Sequence, residues 1–356
     1  ILPSIFRMRL SPAMHKVITF GIPSYNAAKD MDHCITSILE GSNYATDIEI
    51  IVVDDGSKDE TAAKADEWEA RYPGIIRAVH QENGGHGIAV LSGLREAQGT
   101  YYKVVDSDDW LDGAALSTML SILRGFEERD QRVDLFISNY VYEKVYEGTH
   151  TAIGYKFALP RKKIFSWDQI GHFRPDQNLL MHSLCYRTDV LRESNLPMPA
   201  HTFYVDNIYA YVPLPRCKTI YYADIDLYRY FIGREGQSVN EATMVKRLDQ
   251  QFRVTRIMME SFHLYSDVES SRLRSYMMGY FTMMMAICSV LTKLSDEDFA
   301  DERLKTLWSD LKAYDERMYR RARYGVVGFF TNLRGRAGDK TTLGLYRLAS
   351  KIFKFN

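Results

Sequence analysis

Cysteine is scarce and unpatterned in this sequence. The 4 cysteines among 356 residues, Cys34, Cys185, Cys217 and Cys288, form no CxxC or His-Cys cluster. Neither a disulfide framework nor a zinc site is indicated, and a reducing cytosol fits best. An excess of one charge sign is also lacking. Lys and Arg number 45 against 46 Asp and Glu, for a net charge of −1 that by itself points to no partner and gives no ground for nucleic acid. Residues Ile1 to Ala13 mix basic and apolar side chains but contain no signal-peptide core, and Met14 is read as the natural start. The longest nearly uncharged run, Tyr276 to Leu291, is 16 residues between Arg274 and Lys293. It falls short of the roughly twenty needed to cross a bilayer, so a buried helix is expected. No internal repeat is evident.

What is present describes an ordinary globular protein, with 46% hydrophobic and 26% charged residues. The length suits one large α/β unit plus an appendage. Short apolar runs alternate with helical spacing from Lys16 to about Ala115. Val17 to Ile22, Ile48 to Val53, Ile75 to His80 and Tyr101 to Val105 read as strands; Met31 to Leu39, Thr61 to Tyr72 and Ile88 to Gln98 read as helices. Such alternation predicts a right-handed, doubly wound, mostly parallel sheet flanked by helices. Further on, Leu116 to Glu128 and Thr188 to Ser194 look helical, while Leu135 to Tyr146, Leu179 to Tyr186 and Ile220 to Tyr230 look like strands. After about Asn240 the patterning turns helical.

Two acidic clusters close buried strands: Asp54-Asp55-Gly56-Ser57 and Asp106-Ser107-Asp108-Asp109. They therefore sit at strand C-termini, where open α/β sheets bind ligands. Carboxylates gathered there repel one another unless a cation joins them, which suggests a divalent metal and a ligand bringing negative charge of its own.

Four segments occur in order: Pro23-Ser24-Tyr25-Asn26, Val53 to Thr61, Glu82-Asn83-Gly84-Gly85 and Val105 to Asp109. Together they resemble the successive motifs of family 2 glycosyltransferases with the GT-A fold. The resemblance implies a GT-A domain over 16–240, divided into a nucleotide-binding half, 16–115, and an acceptor half, 116–240. An N-terminal extension, 1–15, and a helical C-terminal region, 241–356, would flank it. It further implies that Pro23, Tyr25 and Asn26 border the base, and that Asp55, with Asp54, accepts from the base or lies near the ribose. A uracil imide is a donor that a fixed carboxylate can read, which favours a UDP-sugar. Asp106 to Asp108 corresponds to the DXD motif: Asp108 would bind Mg²⁺ or Mn²⁺, Asp106 would contact the ribose or a metal-bound water, and Asp109 is an alternative metal ligand. The general base would be Asp206 in Phe203-Tyr204-Val205-Asp206-Asn207, although Val205 stands where the family usually has glutamate. Arg234 is expected to reach the diphosphate, with Arg229 either sharing that role or pairing with a core acid. His86, His182 and His201 show no metal-ligand spacing and are assigned structural roles.

The expected activity is metal-dependent, inverting transfer of a sugar from a nucleotide-diphosphate donor to an acceptor hydroxyl, on a carbohydrate or a lipid-linked acceptor. Two other readings remain open at this stage. A sugar nucleotidyltransferase would carry a glycine-rich basic phosphate loop, which Pro23 to Asp30 lacks. A non-catalytic nucleotide-sugar-binding protein is compatible with the Val205 departure. From Glu316 to Asn356, 10 Lys or Arg face 2 acids and are interleaved with aromatic and aliphatic residues. That pattern fits a helix resting on an anionic membrane surface, with the protein peripheral on its inner face, or equally a solvated tail or a helix packed against the domain.

Overall fold

The computed structural model describes residues 15–174, 177–233, 240–297, 299–333 and 335–353, and side chains as far as residue 348. Arg234 and the segment 1–14 lie outside the described residues.

The first half of the chain alternates as its patterning predicts. β1 (Ile18–Ser24), α1 (Met31–Gly41), β2 (Ile48–Asp54), α2 (Thr61–Arg71), β3 (Ile76–His80), α3 (His86–Glu96) and β4 (Tyr101–Val104) follow in order. β1 and β2 are buried at every position, as parallel strands covered on both faces must be. A short β5 (Trp110–Leu111) precedes α4 (Gly113–Glu128), whose start is capped by the Asp112 carboxylate accepting from the Ala115 amide. β6 (Leu135–Lys144), β7 (Thr149–Ile153), β8 (Ile164–Phe165), β9 (Leu184–Arg187), α5 (Thr188–Glu193), α6 (Asp206–Tyr211) and β10 (Ile220–Phe231) complete the sheet region.

The sheet order is β3-β2-β1-β4-β9-β6-β10-β5, with β7 on β6 and β8 on β10. β3, β2, β1 and β4 are mutually parallel, as are β6 and β10. The strands of the first half are parallel as expected, but the sheet as a whole is mixed: β9 is inserted antiparallel between β4 and β6, and β5, β7 and β8 also pair antiparallel with their neighbours. Of the predicted strand 179–186 only Leu184 to Tyr186 falls within β9, because Met181–Ser183 form a 3₁₀ turn. Inversion has a positional consequence. Tyr101 pairs with Arg187 and Tyr102 with Tyr186, so moving toward the C-terminal end of β4 means moving back along β9, toward His182.

Beyond β10 the described chain is helical: α7 (Glu241–Lys246), α8 (Leu248–Glu260), α9 (Leu264–Asp267), α10 (Ser271–Leu294), α11 (Ala300–Tyr314), α12 (Glu316–Tyr324), α13 (Val326–Thr331) and α14 (Gly335–Phe353). α10 is long and apolar enough to span a membrane by length and composition alone. Most of its methionines and aromatics, however, are buried in the protein: Met277, Phe281, Met284 and Cys288 belong to the same hydrophobic core as β1 and β2. That core continues without a break from Val17 to Ala322 of α12.

Lys103, in the middle of β4, is fully buried. Its ammonium donates to the carbonyls of His182 and Leu184, tying β4 to the start of β9, and lies over the Tyr228 ring. Burial pushes its pKa down from 10.5 to about 8. Above pH 10.5 the amine is neutral in both folded and unfolded chains. Between pH 10.5 and 8 the unfolded chain binds the proton first, so stability falls as pH drops through this window. Relative to Lys103→Met, the wild type should lose about 3 kcal/mol of unfolding free energy across that range, measurable by urea titrations at several pH values. Parallel curves for the two proteins would show that the ammonium carries no such penalty.

Candidate active site

The C-terminal edge of the parallel strands collects the sequence motifs. After β1 the chain turns through Tyr25, half exposed, and Asn26, which adopts a left-handed backbone. The Asn26 amide donates to Ser57 Oγ at 3.0 Å, and its side-chain oxygen accepts from the Lys58 amide at 2.8 Å. Pro23 is buried in β1, and the Ser24 carbonyl accepts from the Asp55 amide. The first two motifs are thus laced into one surface.

Asp54 and Asp55 are both buried but have different partners. Asp54 accepts from the Ser57 amide and lies 3.3 Å from His80 Nδ1, a turn-forming role. Asp55 accepts from Gln81 Nε2 at 2.7 Å and from the Gly84 and Gly85 amides, both at 2.8 Å. Those three bonds fill most of the acceptor positions of a carboxylate and fix the Glu82–Gly85 loop. Gly85 has φ +87°, and a Cβ there would come within 2.9 Å of the His201 amide nitrogen, which itself donates to the Gly84 carbonyl. Only glycine fits that approach. The loop in turn delivers His86 to the first position of α3.

His86 Nε2 lies 2.8 Å from Asp106 Oδ1, and His182 Nε2 lies 3.7 Å from Asp106 Oδ2. Both histidines assigned structural roles from sequence therefore flank the motif aspartate. His182 is buried between the rings of Tyr228 and Tyr230, with centroids 4.7 and 4.4 Å away, and its Nδ1 has no hydrogen-bond partner. The missed signal lay outside local spacing, since His182 reaches Asp106 only because β9 is inverted. His201 lies elsewhere, exposed beside the Gly84–Gly85 loop.

Asp109 is buried; Tyr228 Oη donates to one of its oxygens at 2.7 Å and the Phe231 amide to the other at 2.8 Å. Asp108 is half-buried on the intervening turn. Burial works against charge on Asp106, yet the two imidazoles hold its carboxyl well below the usual carboxylate range. Burial and the neighbouring Asp106 charge push Asp109 well up, so the pair shares its ionisation unequally. His86 follows the opposite balance: burial lowers its pKa, and Asp106 with Asp206 and Asp55 raises it above the ordinary imidazole value.

Asp206 opens α6 and is half-buried. Burial raises its pKa, an effect moderated by His182 and His86. Val205 is buried and faces α3, where a Cβ on Gly87 would lie 3.2 Å from its Cγ2. Tyr204 holds φ +66°, a strained value for a bulky residue, in the segment that presents Asp206. Arg229 is engaged away from this cluster, donating to Glu143 at 2.8 Å and Asp112 at 3.0 Å, so it takes the acid-pairing role.

The ion-holding capacity of the cluster can be stated from its donors. One ligand atom each from Asp106, Asp109 and His182 lies within 4.8 Å of the others. Carboxylate oxygens with one imidazole suit a divalent cation such as Mn²⁺.

Residues 19–180 match Glycosyl transferase family 2. The chain carries a family 2 glycosyltransferase domain. Among similar proteins, the uncharacterized glycosyltransferase EpsJ of Bacillus subtilis is 37% identical over 101 residues, 28% of each chain. The uncharacterized glycosyltransferase YibD of Escherichia coli is 24% identical over 257 residues, 69% of this chain and 71% of YibD. The matches thus span between about a quarter and about two thirds of these relatives. Among solved structures, Staphylococcus aureus TarS 1–349 in complex with UDP-GlcNAc superposes with a TM-score of 0.64 at 14% identity, covering 93% of this chain and 92% of that one. The mannosyltransferase PcManGT from Pyrobaculum calidifontis, in complex with GDP-Man and Mn²⁺, gives a TM-score of 0.51 at 15% identity, covering 92% and 87%. At these identities the structures establish a shared fold, the GT-A fold of the domain.

The Asp55 anchor yields a prediction. Asp55→Ala strands the Gly84 and Gly85 amides and should destabilise the protein by about 3 kcal/mol. Amide hydrogen exchange should become faster at Gly84 and Gly85 while β1 and β2 stay protected; unchanged exchange there would mean that the loop is held by other contacts.

Proposed function

We propose that this protein is a metal-dependent, inverting glycosyltransferase that moves a sugar from a nucleotide-diphosphate donor, a UDP-sugar, to an acceptor hydroxyl. The observation that carries this reading is the meeting of Asp106, Asp109, His86, His182 and Asp206 at the strand edge of a family 2 domain. Structures of similar fold in complex with UDP-GlcNAc and with GDP-Man and Mn²⁺ support a nucleotide-sugar donor and a divalent ion.

Pro23, Tyr25 and Asn26 border the base, and Asp54 and Asp55 shape its floor; Asp55 retains about one acceptor position for an imide donor. Arg234 is the proposed diphosphate contact from the segment after β10. Asp106 and Asp108, with His182 and Asp109 close by, would hold Mg²⁺ or Mn²⁺. Such an ion neutralises charge on the departing diphosphate. Asp206 accepts the proton of the attacking hydroxyl, and its raised pKa makes it a better base than an ordinary carboxylate. His86 holds Asp106 in its ionised state and orients it. The acceptor is a carbohydrate or a lipid-linked sugar of the kind used in surface polysaccharide or glycolipid assembly, in keeping with a cytoplasmic protein whose basic tail faces a membrane.

A screen of UDP- and GDP-sugars for hydrolysis and transfer, with Mg²⁺, Mn²⁺ or chelator, tests donor and metal together. Asp108→Ala should lower turnover by at least about a hundredfold in protein that still folds, as judged by circular dichroism. Asp206→Asn should lower kcat by about a hundredfold or more while UDP affinity in calorimetry stays the same. In the wild type the acid limb of kcat should fall above the ordinary carboxylate range, since activity is lost as Asp206 protonates. Full turnover in either variant would remove the role given to that residue.

A further inference from the structure

α13 reverses the usual burial pattern of a surface helix. Its large apolar residues face solvent, with Val326 76%, Val327 49%, Phe329 55% and Phe330 42% exposed, and the preceding Tyr324 is 68% exposed. Its small residue, Gly328, is the buried one. A Cβ on Gly328 would come within 1.7 Å of the Ala322 carbonyl oxygen, so the helix seats its glycine against the end of α12 and holds the four apolar side chains outward. The Thr342 hydroxyl of α14 donates to the Phe330 carbonyl at 2.7 Å and braces the helix from its C-terminal side.

Charge around this wedge is of one sign. Arg320 and Arg321 of α12 and Arg336, Lys340 and Arg347 of α14 are exposed. Both acids of segment 316–356 are already engaged: Glu316 pairs with Arg320 at 2.8 Å, and Asp339 pairs with Lys293 of α10. We infer that α13 is a membrane-docking wedge that inserts Val326, Val327, Phe329 and Phe330 at the headgroup boundary of an anionic phospholipid surface while the flanking arginines and lysine contact the lipid phosphates. An exposed apolar patch rimmed by charge marks an interaction site. A second copy of this chain is a poor occupant, because it would set the same basic rim against itself. The inference stands on α12 to α14 alone and does not depend on the glycosyl-transfer reading.

The test is co-sedimentation of the full chain with phosphatidylcholine vesicles, with and without phosphatidylglycerol, at low and high salt. Binding to the anionic vesicles should exceed binding to the neutral ones by at least about tenfold and fall with salt. Phe329→Asp with Phe330→Asp should abolish it, and Arg321→Glu with Arg336→Glu should weaken it about tenfold, with melting temperatures unchanged because these side chains are exposed. Absence of wild-type binding, equal binding to neutral vesicles, or binding that survives the double phenylalanine change would overturn the assignment. So would a wild-type dimer in light scattering that the phenylalanine changes dissociate without any vesicle binding, since that result makes the face a protein interface.

Discussion

The partly buried negative charge of Asp106 is the constraint from which the site follows. A carboxylate withdrawn from water costs several kcal/mol unless charge and hydrogen bonds replace its hydration. His86 at 2.8 Å and His182 at 3.7 Å provide that replacement, while burial and the Asp106 charge push the Asp109 carboxyl well above its usual range. Each of the three is brought by a different element: α3, the turn before β9, and the turn after β4. A diphosphate entering this edge would add negative charge beside the carboxyl groups of Asp106, Asp109 and Asp206, which is the physical reason a divalent ion belongs in the reading proposed for the site.

The placement of those partners rests on backbone arrangements that have little to do with chemistry. Asp55 spends its carboxylate on the Gly84 and Gly85 amides, and that grip sets where α3 begins and hence where His86 points. Lys103, buried in β4, holds the carbonyls of His182 and Leu184 and so fixes the turn that carries the second imidazole. Tyr228 receives the Asp106 amide on its hydroxyl and donates to Asp109, coupling β10 to the same turn. Three strands and three loops therefore share one network, and a change at any of them alters the position of the acidic cluster.

This division explains what could be read from sequence. The strand ends at Asp54 and Asp106 were legible because a buried parallel strand and the polar residues that stop it are adjacent in the chain. The alternation up to β4 was legible for the same reason. His182 was not, since its approach to Asp106 requires an antiparallel strand inserted between β4 and β6, and inversion leaves no local mark on four residues of strand. The role of Asp55 as a loop anchor was equally hidden, because its partners are backbone amides that any sequence possesses. Arg229 read as ambiguous from sequence, and its two acid partners on β6 and before α4 decide the matter.

The valine at 205 is the departure from the family pattern that bears most on chemistry, and packing accounts for it. Val205 is buried against Gly87 at the first turn of α3. A glutamate with the same backbone would carry its carboxylate into an apolar contact and add a further negative group to a cluster where burial and the Asp106 charge already push the Asp109 carboxyl well up. With valine there, Asp206 is the remaining acid of that motif, close enough to His86 and His182 for both to moderate its raised pKa. The base proposed for the reaction thus needs no carboxylate partner: burial raises its basicity, and the two imidazoles that flank Asp106 moderate the rise.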